Sequence, residues 1–233
     1  MWILPRFRVK YSKEGPARYS SHLDMVRFFD RSTRRAKLPV AFSEGFNPHP
    51  KFSFASPLPV GVAGLEEYLD MDLKEYMEPG EIALKLAPNL PEGYRILDIK
   101  QIEDRAQSLM SRVSRADYRA TTHLPAGYSI VELGTAMNEL LKQQEIFVTR
   151  TAKGKVKEVD IRPGIYRLSG DVKGQTLEIN MELLIGSTGN VRPEEILQKL
   201  HQYGVPVDPE DFQVRRTALY AEGVTGPISL WEV

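Results

Sequence analysis

The sequence predicts a mixed α+β protein of two units in tandem, each with strands and helices in the order β-α-β-β-α-β. Three observations carry this expectation. Apolar residues recur with period two in some segments and with period 3.6 in others. The order of these segments restarts after a polar stretch at residues 105–115. Finally, 42% hydrophobic and 27% charged residues over 233 positions suit a chain that buries a core.

The elements follow in chain order. Phe7 to Lys10 alternates and predicts a strand, and Ala17 to Ser20 a brief return. Ser21 followed three residues later by Asp24 is a capping-box-like helix start, and Pro39 cannot continue that helix. Val40–Phe42 and Lys51–Ala55 predict short strands around a turn-rich loop, Ser43-Glu-Gly-Phe-Asn-Pro-His-Pro. Glu66–Leu73 and Tyr94–Ile102 read as strands, with a helix opened by Pro79 between them. Residues 105–115 read as a linker helix between domains at 1–104 and 116–233. The second half repeats the order. Its strands begin at Tyr118, Glu145, Val156, Ile165, Thr176 and Phe212, and its helices span 130–142 and 193–203, with Gly204 as the stop. This is the ferredoxin-like order of split βαβ units.

Composition excludes several chemistries. The chain has no cysteine, which removes disulfides, thiolate zinc, iron–sulfur ligation and cysteine nucleophiles. No Gly-rich phosphate loop and no Gly-x-Ser-x-Gly elbow occurs. The four histidines, His22, His49, His123 and His201, lack metal-ligand spacing, so neither a metal nor a cofactor is expected. No apolar run reaches the ~20 residues of a membrane helix, and the N-terminus lacks a signal-peptide pattern, so a cytoplasmic protein without a membrane partner is expected.

Charge supplies the functional expectation. Formal net charge is zero, so polyanion affinity must come from a local patch. Residues 1–60 carry eleven Lys and Arg against four Asp and Glu, while residues 66–81 are acidic. Helical spacing places Arg27, Arg31, Arg34 and Arg35 on one face. A solvated helix face explains them as readily as an anion site. Asn47, His49 and Lys51 in the proline-stiffened loop have no packing reason to be there, and with the arginines they suit a nucleic-acid surface. Phe52 and Phe54 fit a half-buried strand. Lys153 and Lys155 at a hairpin tip form a second basic patch, and Asp160 is placed to orient Arg162. His22, in the first helical turn near cations, is the candidate acid–base residue, although a structural histidine beside the cap is the commoner case.

The blocks Ser21-His-Leu-Asp, Arg34-Arg-Ala, Leu38-Pro-Val, Ser43-Glu-Gly-Phe-Asn-Pro-His-Pro and Leu58-Pro-Val-Gly-Val resemble the radical-SAM-associated, or radical-SAM-linked, family in its stand-alone form, a domain of unknown function. The resemblance is strongest over residues 6–72. It implies a radical SAM protein or a ribonuclease of the E/G type as a partner. Two ferredoxin-like halves with a basic helix also resemble the RAMP-type RNA-processing proteins, a fold-level likeness. The reading expected first is a non-catalytic RNA-binding accessory protein in RNA processing or modification. A metal-independent endoribonuclease using His22, and a docking subunit for a radical SAM enzyme, follow.

Overall fold

In the first strand, β1 (Arg6–Lys13), the side chains divide between two faces: Phe7, Val9 and Tyr11 alternate with Arg6, Arg8 and Lys10. The computed structural model describes residues 4–103, 106–125, 127–152 and 154–233. After β1 come α1 (His22–Arg35), β2 (Phe52–Phe54), β3 (Ala63–Asp72), α2 (Pro79–Leu86), β4 (Tyr94–Ile102) and the single-turn α3 (Leu109–Arg112). β1 pairs antiparallel with both β3 and β4, and β2 pairs antiparallel with β3. Phe7, Val9, Tyr11, Leu69 and Met71 form one buried cluster with Met25 and Phe29 of α1 and Ile82 and Leu86 of α2. Each such side chain contributes about 1.5–3 kcal/mol by leaving water.

The opposite face of β1 and β3 carries charge. Arg6 stands across from Asp72, and Arg8 across from Asp70. Their side chains meet at 2.7 and 2.8 Å, and Lys10 reaches Glu66 at 3.2 Å. The basic start of the chain and its acidic 66–72 segment therefore answer each other across one ladder. The charge segregation visible in the sequence does not translate into a basic surface at β1.

The chain continues through β5 (Val113–His123), α4 (Ile130–Lys142), β6 (Phe147–Ala152), β7 (Lys155–Asp160), β8 (Ile165–Lys173), β9 (Thr176–Leu184) and α5 (Pro193–Gln202), then β10 (Gln213–Gly223) and β11 (Gly226–Ser229). It divides into two compact units, Met1–Ser114 with Arg216–Val233, and Arg115–Arg215. In the first, the strand order is β4-β1-β3-β10, with β11 on β10. In the second, β9 lies between β5 and β8, antiparallel to both, and β6 and β7 form a separate two-stranded sheet. There α4 sits so close to β8 that a Cβ on Gly170 would lie 2.7 Å from the Met137 methyl and 2.8 Å from Leu133.

Several elements differ from the sequence expectation. Residues 216–233 belong with the first unit rather than with 116–233. Arg216 pairs with Glu67 at 2.6 Å, both almost fully buried, and Trp231 stacks on Tyr68. Residues 15–19 form a 3-10 turn instead of a strand, and Val40 and Phe42 make only isolated bridges. The linker helix is one turn long, because β5 begins at Val113. No helix among the described residues is long and apolar enough to cross a membrane.

Candidate nucleic-acid interface

Helix α1 positions the basic side chains, and its ends are well specified. At the N-terminus the Ser21 hydroxyl accepts the Asp24 N–H at 3.2 Å, and the Asp24 carboxylate accepts the Ser21 N–H at 3.2 Å and its hydroxyl at 2.7 Å. The Ser21 bonds hold the Asp24 carboxyl below its ordinary value. At the C-terminus the Lys37 N–H bonds Arg34 O and the Leu38 N–H bonds Thr33 O, a Schellman motif. Lys37 occupies the left-handed position at φ 54°, which costs a non-glycine residue about 1 kcal/mol.

The four arginines are exposed, yet they are not equivalent. Arg31 has no ion pair or hydrogen bond among the described residues. Arg27 lies 3.9 Å from Asp24. Arg34 bonds Asp30 at 2.8 Å and covers the Phe42 ring at 5.2 Å. Arg35 donates to the Asn89 carbonyl and to the Ser32 hydroxyl, tying α1 to the turn after α2. Arg31 and Arg27 are thus the open cations, Arg34 meets the loop through Phe42, and Arg35 helps hold the fold.

The loop after α1 is closed at its base. Ser43 donates its N–H to His49 O at 2.8 Å, and the Ser43 hydroxyl accepts the His49 N–H at 3.1 Å. His49 Nδ1 lies 3.0 Å from that hydroxyl and 3.3 Å from Asn47 O. Lys51 bonds Ala41 O through its backbone and leaves its side chain exposed. The tip projects outward: Asn47 is exposed, Gly45 takes a φ of 121°, and Phe46 is fully exposed. An unburied phenylalanine is the signal that the sequence alone could not separate from a core residue.

His22 and His49 meet at one cavity of about 320 Å³. Val26, Pro50, Phe52, Phe54 and Met110 line it, with the hydroxyl-bearing Ser53 and Ser108. Nothing in the sequence pairs Ser108 or Met110 with this site, since the chain between them and the loop runs through three strands and α2. The His22 ring stands edge-on to Phe54 at 5.4 Å, and its Nδ1 is buried without a hydrogen-bond partner among the described residues. Burial lowers the His22 pKa, and Lys13 lowers it further. Burial likewise depresses Lys13, whose ammonium donates to Ser20 O at 2.7 Å. Burial and Lys13 therefore favour the neutral imidazole at His22. Arg31 lies nine residues beyond His22, about two and a half turns, so it projects from the opposite side of α1. The cavity and the open arginine consequently occupy different faces.

In the second unit Lys155 is exposed on β7, and Lys153 lies outside the described residues. Asp160 accepts the backbone N–H of Arg162 at 3.0 Å, while the guanidinium turns to Gln143 O and Leu141 O. The expected orienting ion pair is replaced because those carbonyls at the end of α4 take the cation. Among the described residues no group of three or more His, Asp or Glu is placed to hold a metal.

Fold and site define an α+β protein with a discontinuous first unit, a basic helix and a histidine-lined cavity. Residues 6–193 match the family described as uncharacterized protein conserved in bacteria (DUF2344), and the chain belongs to that family. No curated protein matches it. Among solved structures, it is similar to a chain in the crystal structure of a Cbf5-Nop10-Gar1 complex, at 13% identity and a TM-score of 0.48. That likeness covers 93% of this chain and 49% of the other, so the chain spans about half the length of that relative. It also resembles an unknown protein from Galdieria sulphuraria at 12% identity and a TM-score of 0.27, covering 91% and 98% of the two chains.

Proposed function

We propose that the protein is a non-catalytic RNA-binding accessory protein acting in RNA processing or modification, with the loop after α1 as its contact. The observation that carries this reading is the fully exposed Phe46, on a loop whose base bears the exposed Lys51 and whose Phe42 is covered by Arg34. Protruding aromatic rings stack on unpaired bases, and neighbouring cations hold the phosphates. Arg31 and Arg27 extend the basic surface along α1. The strand order β4-β1-β3, with β2 on the far side of β3, supports a ferredoxin-like first unit.

Fluorescence anisotropy with a single-stranded RNA 12-mer over a salt series tests the reading. Phe46→Ala should weaken binding about tenfold or more. Lys51→Glu should reduce the magnitude of the slope of log K against log salt by about 0.7 or more. Unchanged affinity and slope in folded variants would overturn the proposal.

A second reading, a metal-independent endoribonuclease, draws on the cavity that His22 shares with His49. It requires that His22→Ala abolish cleavage while RNA binding persists. The radical-SAM kinship implied by the sequence blocks adds a radical SAM protein, or a ribonuclease of the E/G type, as the partner to seek by co-purification.

A further inference from the structure

The cavity beside α1 is distinct from the exposed loop tip and has its own chemistry. Its volume, about 320 Å³, falls at the lower end of small-molecule sites. Phe52, Phe54 and Pro50 supply flat apolar walls, while His22 and His49 bring imidazoles from α1 and from the loop. Ser53 and Ser108 add hydroxyls, each able to donate and accept. Flat walls with a few mixed donors and acceptors fit a planar heteroaromatic ring with polar edges. A purely aliphatic ligand would leave these groups unanswered. Among the described residues no Lys or Arg lines the cavity, which suits an uncharged group. Lys51, next to Pro50 in the chain, is exposed and available to a phosphate attached to that ring.

We propose that this cavity receives one nucleobase, unstacked from the RNA that the neighbouring loop engages. The inference rests on the RNA-binding reading for its source of bases, although the pocket chemistry stands apart from it. His22, whose charged form burial disfavours, hydrogen-bonds the base edge from within the apolar walls. His49, held by Ser43, adds a second imidazole to the lining.

Two measurements test this. The first compares the affinity of the full chain for an RNA 12-mer and for the same backbone with abasic positions, in wild type, Phe46→Ala and Met110→Trp. Met110 is half exposed at the rim, so a tryptophan there narrows the pocket without emptying the core. Phe46→Ala should retain a preference of about tenfold for the intact oligomer, and Met110→Trp should reduce it with an unchanged salt slope. A preference that Met110→Trp leaves intact would overturn the pocket. The second titrates the four nucleoside 5′-monophosphates against protein with labelled histidines. Saturable shifts at His22 and His49, lost in Met110→Trp, support the pocket even where the 12-mer does not bind and the RNA-binding reading fails. Absence of shifts at both rings overturns it.

Discussion

Two sets of cations lie in the first 60 residues, and the structure treats them in opposite ways. On β1, Arg8 is 1% exposed against a 3% exposed Asp70, with Arg6 and Lys10 paired on either side of it. On α1, Arg27 and Arg31 stand in solvent with a distant carboxylate or, among the described residues, none. The difference teaches that charge type and sequence density say little about availability. A strand forces its alternate residues against one particular neighbouring strand, whereas a helix with one buried face leaves the rest to solvent.

Breaking the β1 ladder should have the largest effect. Arg8→Met leaves Asp70 buried without its bidentate partner and should cost about 3–5 kcal/mol in urea unfolding. Adding Asp70→Leu should recover part of that loss, because it removes the unpaired carboxylate while the Leu230 carbonyl stays without its Arg8 donor. If Arg8→Met proved neutral, the ladder would count for no more than a surface charge. On the helix, Ser21→Ala removes the cap and should cost about 1 kcal/mol. Arg34→Ala loses an i,i+4 pair and the Phe42 contact, together roughly 0.5–1 kcal/mol. Arg31→Glu should change stability by less than about 0.5 kcal/mol, which makes it the clean probe of function on that face.

The smallest effect sharpens the comparison where the two regions meet. Lys13, the last β1 cation, lowers the His22 pKa beyond the effect of burial. Between its depressed folded value and the unfolded 6.5, native His22 binds fewer protons than the unfolded chain. His22 therefore makes stability rise with pH across that window and adds no slope above it. Lys13→Met should move the His22 midpoint upward in an NMR titration and narrow the window. A midpoint at or above 6.5 in the wild type would contradict the burial of this ring.

The elements were legible wherever local rules act. The Ser21–Asp24 cap, the strands at Tyr94–Ile102 and Thr176–Leu184, the helix at Ile130–Lys142 and the stop at Gly204 all follow from periodicity and capping residues. Phe54 is buried, as its strand pattern suggested. What escaped is long-range. Nothing near Arg8 announces Asp70, and nothing near Glu67 announces Arg216, 149 positions away. The cavity was half legible: His22 and His49 stood out by residue type, but their meeting with Ser108 and Met110 is made by tertiary packing alone. Phe46 was hidden for the converse reason, since aromatic side chains are usually inside and only the loop's geometry exposes it.

The return of residues 216–233 to the first unit also sets a schedule for synthesis. Glu67 leaves the ribosome long before Arg216 does, and at about 5–20 residues per second the interval is roughly seven to thirty seconds. Throughout that time the carboxylate has no guanidinium to accompany it out of water, and Arg8 lacks the Leu230 carbonyl. The β10–β11 edge of the first unit and these buried pairs wait until the second unit has been made, whereas its apolar cluster lies wholly within residues 7–99. The second unit, uninterrupted in sequence, is free to fold during the pause.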